Sequence, residues 1–367
     1  MKLLHFADLH LDAPFGWAGD ELARRRRQAI RDAFRRILEL AAAQRVEAVL
    51  CGGDLFEQDR FTPDTAAFLE AELARIDPLP VYLAPGNHDW YGSRSLYHQV
   101  RWSPNVHVFR EGRLTPVELA GGLTLWGAAH QESTNTPGFL RGFAVDRGGV
   151  HLALFHGSER ADLPVFGEGR APHAPFDAGQ IEAAGLHHVL TGHYHVARDA
   201  PRHTYPGNPE TLVFGEDRDA RGPVLVTVAG DGAVTRERRP VAGDEMHDLE
   251  LDATGTTSAQ DVRDRLAELL GARRGSARVT LRGELGPATD LRAADLVDAA
   301  PWMDAVLPRL DGLRPGYDAE ALRDEQTVRG QFVRDVLDAP DLEEPVRRRV
   351  LTTGLRALDG RRDLEVE

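Results

Sequence analysis

Eight side chains able to ligate a metal or move a proton recur at one kind of place, where a short apolar run gives way to a loop, usually marked by glycine. They are Asp8 and His10 in "ADLH", Asp54 in "GGD", Asn87 and His88 in "GNHD", His156 in "FHG", and His193 and His195 in "GHYH". Imidazole mixed with carboxylate and one amide carbonyl, with no thiolate, suits Mn2+, Fe2+ or Zn2+ better than an all-oxygen Mg2+ or Ca2+ site. The set is too large for a single catalytic cation that must keep one position open. Two cations about 3.5–4 Å apart, bridged by one carboxylate, would use nearly all of it, and that arrangement clamps a phosphoryl group during in-line displacement. One acid or imidazole at a strand end is ordinary surface chemistry; the signal is five clusters of the same chemistry in one chain.

Bringing five such clusters together calls for an α/β fold, because the ends of parallel strands and their loops converge on one edge of the sheet. Strands are expected at residues 2–7, 48–52, 80–85, 123–128, 150–156 and 187–192, each just before one of the polar clusters or between them. Alternation along the first strand puts Asp8 and His10 on the same side of its end. Gly52, Gly53, Gly86 and Gly192 permit sharp turns and close backbone approach beside these groups. A helix is expected over Glu21–Gln44, where Ala23, Ile30, Phe34, Ile37, Leu38 and Ala41 fall at helical spacing and Asp20 can cap. A second opens with Thr62 as cap and Pro63 at the first helical position.

The length of 367 residues suggests two domains. The run "GPVLVTVAGDGAVTRERRPV" reads as a hairpin turning near Gly230–Gly232, and "MHDLELDA" begins a new unit, so the expected boundary lies between 240 and 241. Of 15 histidines only His247 lies beyond His203, which places the imidazole chemistry in residues 1–240. Residues 241–367 read as a small α/β domain with a helix in "SAQDVRDRLAELLG", strands in "ARVTLRGEL" and "DAVLPRL", and two C-terminal helices. A net charge of −14 argues against a chain that coats nucleic acid nonspecifically, though carboxylates that hold cations count toward that charge. The lone Cys51 excludes an internal disulfide, and neither a membrane span nor a secretory leader is visible, so a cytoplasmic protein is expected. "RRRR" at 24–27 reads as a solvated helix face rather than a phosphate track, and His130 and His173 are candidates to line the cleft without motif support. Trp90 and Tyr91 are candidates to stack on a base or to pack against the loop.

In order and in kind, "DLH", "GGD", "GNHD", "HG" and "GHYH" resemble the calcineurin-like metallophosphoesterases, over about residues 1–216. "ADLHLDAPF", "GGDLF" and "YPGNPE" look like the SbcD-like bacterial DNA repair exonucleases within that superfamily. The resemblance implies a sandwich of two mixed β-sheets flanked by helices, followed by a small α/β capping domain. It implies that Asp8, His10 and His195 bind one cation, that Asn87, His156 and His193 bind the other, and that Asp54 bridges them. His88 is then free to stabilise the transition state and protonate the leaving oxygen, with Asp89 in place to orient it. The implied activity is a Mn2+-dependent DNA nuclease in double-strand-break repair and recombination, a 3′-to-5′ exonuclease with endonuclease activity on single strands. The implied partners are DNA, an SbcC-like coiled-coil ATPase and a second copy of the chain. The alternatives are a phosphoesterase acting on small nucleotides or phosphoproteins, and a metal-loaded subunit that holds DNA ends for the ATPase. One departure bears on substrate preference: after "GDLF" some relatives carry a histidine, and this chain carries Glu57, whose charge repels a phosphate unless it is paired.

Overall fold

The computed structural model describes residues 1–162, 172–216, 221–243, 245–286, 289 and 291–360. They form two compact units, Met1–Met246 and His247–Glu367. Among the described residues no helix is long and apolar enough to cross a membrane.

The first unit carries β1 (Lys2–Phe6), β2 (Ala48–Cys51), β3 (Val81–Leu83), β4 (Val106–Val108), β5 (Thr115–Glu118), β6 (Leu123–Gly127), β7 (Val150–His156), β8 (His188–Gly192), β9 (Arg198–Asp199), β10 (His203–Tyr205), β11 (Val224–Val228) and β12 (Val234–Arg238). They build two six-stranded sheets, in the orders β12-β11-β1-β2-β3-β4 and β5-β6-β7-β8-β10-β9. Both are mixed: β1 runs parallel to β2 and antiparallel to β11, while β6, β7 and β8 are mutually parallel and β5 is antiparallel to β6. This is the expected α/β sandwich of two mixed sheets flanked by helices, and the six strands expected from sequence are present, most with ends trimmed by a residue or two. The short strands β4, β5, β9 and β10 escaped the sequence reading because two to four residues carry too little periodicity to register.

Strand alternation divides the core. Leu3, Ala48, Leu50, Leu125, Leu152, Leu154, Leu190 and Val226 face inward and pack the two sheets together. Leu4, Phe6, Val49 and Cys51 face outward, against α1 (Asp20–Ala43) and α2 (Pro63–Ala74). On the far side, Trp126, Ala153, Phe155 and Val189 pack with Ile181 of α3 (Ala178–Ala183). The N-cap of α1 is Gly19, and Asp20 and Glu21 instead complement the dipole in the first turn. Thr62 and Pro63 open α2 as expected, with the Thr62 N–H donating to Thr65 Oγ1 at 3.2 Å.

In the arginine run Arg24 and Arg25 are exposed, as the sequence reading expected, and Arg26 departs from it. Arg26 is wholly buried, donates to the carbonyl of Thr211 at 2.5 Å and lies over the Phe15 ring. It is a strut between α1 and the loop after β10, not part of a solvated face. Asp12, just past the first cluster, is bound by Thr65 Oγ1 and paired with Arg31 at 3.7 Å.

The second unit has its own sheet, β13 (Met246–Asp252), β14 (Ser276–Leu285) and β15 (Ala305–Pro315), with β14 parallel to β15. Val262, Leu266 and Leu270 of α4 (Ala259–Leu270) pack on Ala277, Val279 and Leu281. Three helices close the described chain: α5 (Ala319–Arg323), α6 (Val328–Leu337) and α7 (Glu344–Leu358).

His5 sits between the sheets of the first unit, buried, with neither ring nitrogen hydrogen-bonded. Burial, then the charges of Arg238 and His188, depresses its pKa to about 3. Folding therefore holds His5 neutral; its contribution is complete above the unfolded value near 6.5 and is lost as pH falls toward 3. Replacing His5→Leu should flatten the fall in Tm between neutral pH and about pH 4. Thermal melts across that range, with an unchanged slope in the variant, would contradict this origin of acid sensitivity.

Candidate metal centre

Five loops converge beyond the carboxyl ends of β1, β2, β3, β7 and β8. The first does not do so by strand alternation, as the sequence pattern had suggested. β1 stops at Phe6, and Asp8 and His10 have φ of 54° and 52°, as Asp54 does at 54°. Left-handed backbone is uncommon in residues other than glycine and costs on the order of 1–3 kcal/mol where the surroundings impose it. Here the surroundings are a second loop: the N–H groups of Asp8, His10 and Leu11 donate to the carbonyls of Gly53, Asp54 and Leu55, each at 3.0 Å. Gly53, at φ of +100°, and Gly86 complete the close approach, since a Cβ on the first would press into the His156 ring and a Cβ on the second into Asp54 Oδ1.

Two groups of ligand atoms result in the cradle, Asp8 with His10 and His195, and Asp8 with Asp54 and His156, while a third gathers His10, Glu57 and His88 towards the rim. Asp54 Oδ2 lies 3.1 Å from His156 Nε2 and 3.7 Å from His10 Nε2, between the two groups. The other oxygens serve as braces: Asp54 Oδ1 accepts from the His88 N–H at 2.8 Å and Asp8 Oδ1 from the His193 N–H at 2.9 Å. His193 stands beside His156, ring centroids 5.2 Å apart, and falls in none of these groups. Asn87 is buried and its Oδ1 has no hydrogen-bond partner.

Each imidazole in the cradle is turned by an acceptor behind it. His10 Nδ1 meets Glu57 Oε1 at 2.7 Å, His195 Nδ1 meets Glu216 Oε1 at 2.7 Å, and His156 Nδ1 meets the Gly52 carbonyl at 2.9 Å. Such second contacts fix which nitrogen is presented to a cation and raise its basicity. Neither carboxylate was identified from sequence in this role. Glu57 lies only three residues from Asp54, but its meaning depends on two histidines brought in from other loops. Glu216 carries no local signal; its Oε2 is held by Asn208 Nδ2 and by the N–H groups of Leu212 and Val213 at 2.9–3.2 Å.

Asp89 corrects a second expectation. Its carboxylate does not meet the His88 ring; it accepts from the N–H groups of Asp54, Leu55 and Gly86 and from the Tyr97 hydroxyl, at 2.6–3.1 Å. Glu57 Oε2 instead holds His88 Nδ1, at 2.9 Å. The charge of Glu57 is thus shared between two histidines, which answers the concern that it would repel a phosphate. Tyr91 packs against Tyr97 and His98 and belongs to the core edge rather than to a stacking platform.

The donor set fits divalent cations. Asp8 Oδ2 and Asn87 Oδ1 are buried without hydrogen-bond partners, an arrangement that is costly unless something binds them. Burial works against ionising Glu57 and Glu216, yet their bonds to His10 and His195 outweigh it and hold both carboxyls at about 2. With each Nδ1 turned to its carboxylate, His10 Nε2 and His195 Nε2 meet 3.1 Å apart. Burial disfavours charge on His156, but the Asp54 carboxylate prevails and raises it to about 9. Asp54 is held well below the usual carboxylate range, its own burial penalty outweighed chiefly by His156, while burial pushes Asp8 up.

Glu216→Ala should weaken cation affinity by about 10–100-fold while leaving every proposed ligand in place. Metal titration of the purified variant checks this, and wild-type affinity would show that Glu216 does not support His195.

A sequence profile of the calcineurin-like phosphoesterases matches residues 1–197. The chain is 25% identical over 254 residues to YhaO of Bacillus subtilis, described as an uncharacterized metallophosphoesterase, over 62% of this chain and 57% of that one. It is 28% identical over 267 residues to the DNA double-strand break repair protein Mre11 of Aeropyrum pernix, over 65% of this chain and 62% of that one. The match therefore spans less than two thirds of either relative. Among solved structures, TT1561 of Thermus thermophilus aligns over 65% of this chain and 98% of its own, with 13% identity and a TM-score of 0.36.

Proposed function

The chain belongs to the calcineurin-like phosphoesterase family, and from that premise we propose that it is a two-metal phosphodiesterase whose substrate is DNA. The observation that carries the two-metal reading is Asp54 Oδ2, set between His10 and His156 as a bridging carboxylate would be. In this reading Asp8, His10 and His195 hold one cation, Asn87, His156 and His193 hold the other, and Asp54 belongs to both. The bound cations supply Lewis-acid stabilisation of the phosphoryl oxygens and lower the pKa of the attacking water. Manganese is the cation the family resemblance implies, and the imidazole, carboxylate and amide donors accommodate it as they do Fe2+ or Zn2+.

The chain's own residues prepare the leaving group. His88 sits on the rim with its side chain 45% exposed, next to a cradle that is almost wholly buried. Burial works against charging its ring, but the Glu57 hydrogen bond and the Asp54 and Glu57 carboxylates outweigh it and raise the pKa to about 9. His88 is therefore protonated at neutral pH. With Nδ1 engaged by Glu57, its Nε2 is the atom left to donate a proton to a departing sugar oxygen.

DNA as substrate is supported by the resemblance of "ADLHLDAPF" and "YPGNPE" to the SbcD-like exonucleases and by the similarity to an archaeal break-repair protein. On the same reading the chain cuts as a 3′-to-5′ exonuclease with single-strand endonuclease activity, and residues 241–367 serve as a capping domain that docks a coiled-coil ATPase. The docking role is supported by α6 and α7, which leave Val328, Val346 and Leu358 exposed. A groove in that unit combines Leu313, Leu351 and Leu355 with Arg348 and Arg349.

His88→Ala should retain both cations and lose about 10²–10⁴-fold in cleavage of end-labelled DNA. Equal cleavage by variant and wild type would remove His88 from the mechanism, and DNA left intact by metal-loaded wild type would remove DNA as substrate. Glu57→Gln takes away the charge that raises the His88 pKa. The alkaline limb of kcat should therefore move to lower pH, read directly from pH–rate profiles of the two proteins.

A further inference from the structure

His173 is a titratable side chain at the site that neither motif nor cradle uses. Its backbone is pinned on both sides: the Ser158 N–H donates to the His173 carbonyl at 2.9 Å, and the His173 N–H donates to Ser158 Oγ at 3.1 Å. Ser158 is fully buried and lies two residues beyond His156, so His173 is registered directly against a cradle loop. The following residue, Ala174, is buried at φ of 39°, a left-handed conformation that a non-glycine residue adopts only where its surroundings impose it. Ala174 is in turn fixed by its N–H to the Thr136 carbonyl at 3.0 Å.

This rigid turn sets the His173 ring 5.2 Å from His193 and 6.3 Å from His130, centroid to centroid. Burial, then the charge of His156, lowers its pKa, and the charges of Asp54 and His88 act on it as well. Yet it is not part of either ligand group. Its Nδ1 is buried, neither ring nitrogen has a hydrogen-bond partner among the described residues, and the residue as a whole is only partly exposed. An imidazole held this firmly at the cradle's edge with its hydrogen bonding unspent gains most by meeting an oxygen that arrives from outside.

We propose that His173 is a substrate-contacting residue whose Nε2–H donates to a non-bridging oxygen of the phosphodiester, beside the His193 side of the cradle. The assignment rests on the phosphodiesterase reading above and does not depend on DNA being the substrate. His173 works by hydrogen bonding to the phosphoryl group, and His88 by delivering a proton to the leaving oxygen. The two roles differ in what they sense. Loss of His173 weakens binding of the phosphoryl group whatever alcohol departs, whereas loss of His88 is felt most with poor leaving groups.

Two variants separate the hydrogen bond from packing: His173→Phe keeps a ring and removes the donor, and His173→Gln returns an N–H near Nε2. Mn2+-loaded proteins are assayed on a series of aryl phosphodiesters of graded leaving-group pKa, with bound Mn2+ measured in each. Inorganic phosphate is titrated calorimetrically as a probe that needs no turnover. His173→Phe should lower kcat/KM by about 10–10³-fold, with equal loss across the series, and weaken phosphate binding at unchanged Mn2+ content, while His173→Gln recovers part of both. Unchanged phosphate affinity and kcat/KM in His173→Phe would overturn the proposal, as would a loss that tracks Mn2+ content or one that Gln fails to relieve. Wild type that turns over the aryl diesters but not DNA would overturn the nuclease reading and leave the His173 comparison intact.

Discussion

Asp89 accepts the backbone N–H groups of Asp54, Leu55 and Gly86 and the hydroxyl of Tyr97, all within one fully buried carboxylate. Those contacts tie the loop after β2 to the loop after β3 at the point where each delivers its ligand. Burial and the neighbouring Asp54 charge push the Asp89 carboxyl up to about 6, so the knot is held against an electrostatic cost by its four donors. Each buried N–H that lost its acceptor would cost about 1–3 kcal/mol. The loop after β1 then pairs with the Asp54 loop, and the His88 and His193 N–H groups brace the two carboxylates. Backbone hydrogen bonds thus hold the loops of the cradle in register with one another.

This arrangement reconciles opposite demands. A metal site needs buried acids and imidazoles with unsatisfied lone pairs, whereas a folded core penalises them. The chain meets both by satisfying one atom of each candidate ligand with a brace and turning the other into the cradle, as Asp8, Asp54, His10, His156 and His195 do. Backbone strain is concentrated in the same loops, where Asp8, His10, Asp54 and His193 all have positive φ. The two sheets supply the rigid base, joined by an apolar layer that runs from Leu3 to Leu190.

Two long-range supports extend the cradle beyond its ligands. Glu57 couples His10 to His88, so the group that orients a ligand also charges the rim histidine. Glu216 reaches His195 from the loop after β10, and that loop is anchored by Arg26 and Trp17 through the carbonyls of Thr211 and Leu212. Arg221 adds a further link to Asn208, which holds Glu216. A surface-looking arginine in α1 is in this way connected to the geometry of the centre.

By itself the sequence named the candidate donors and the places they come from, because cation ligation demands particular side chains and parallel strands demand apolar runs that end in turns. On that ground Asp8, His10, Asp54, Asn87, His88, His156, His193 and His195 stand as candidates, and the six longer strands, the first two helices and the hairpin of β11 and β12 were legible. Tertiary structure alone decided how those residues meet. The left-handed turns at Asp8 and His10, the Glu57 and Glu216 supports, the role of Asp89 and the burial of Arg26 depend on contacts between distant segments. A short window of sequence registers periodicity and capping, but the partner of a buried charge is chosen by which loops the fold brings within hydrogen-bond distance.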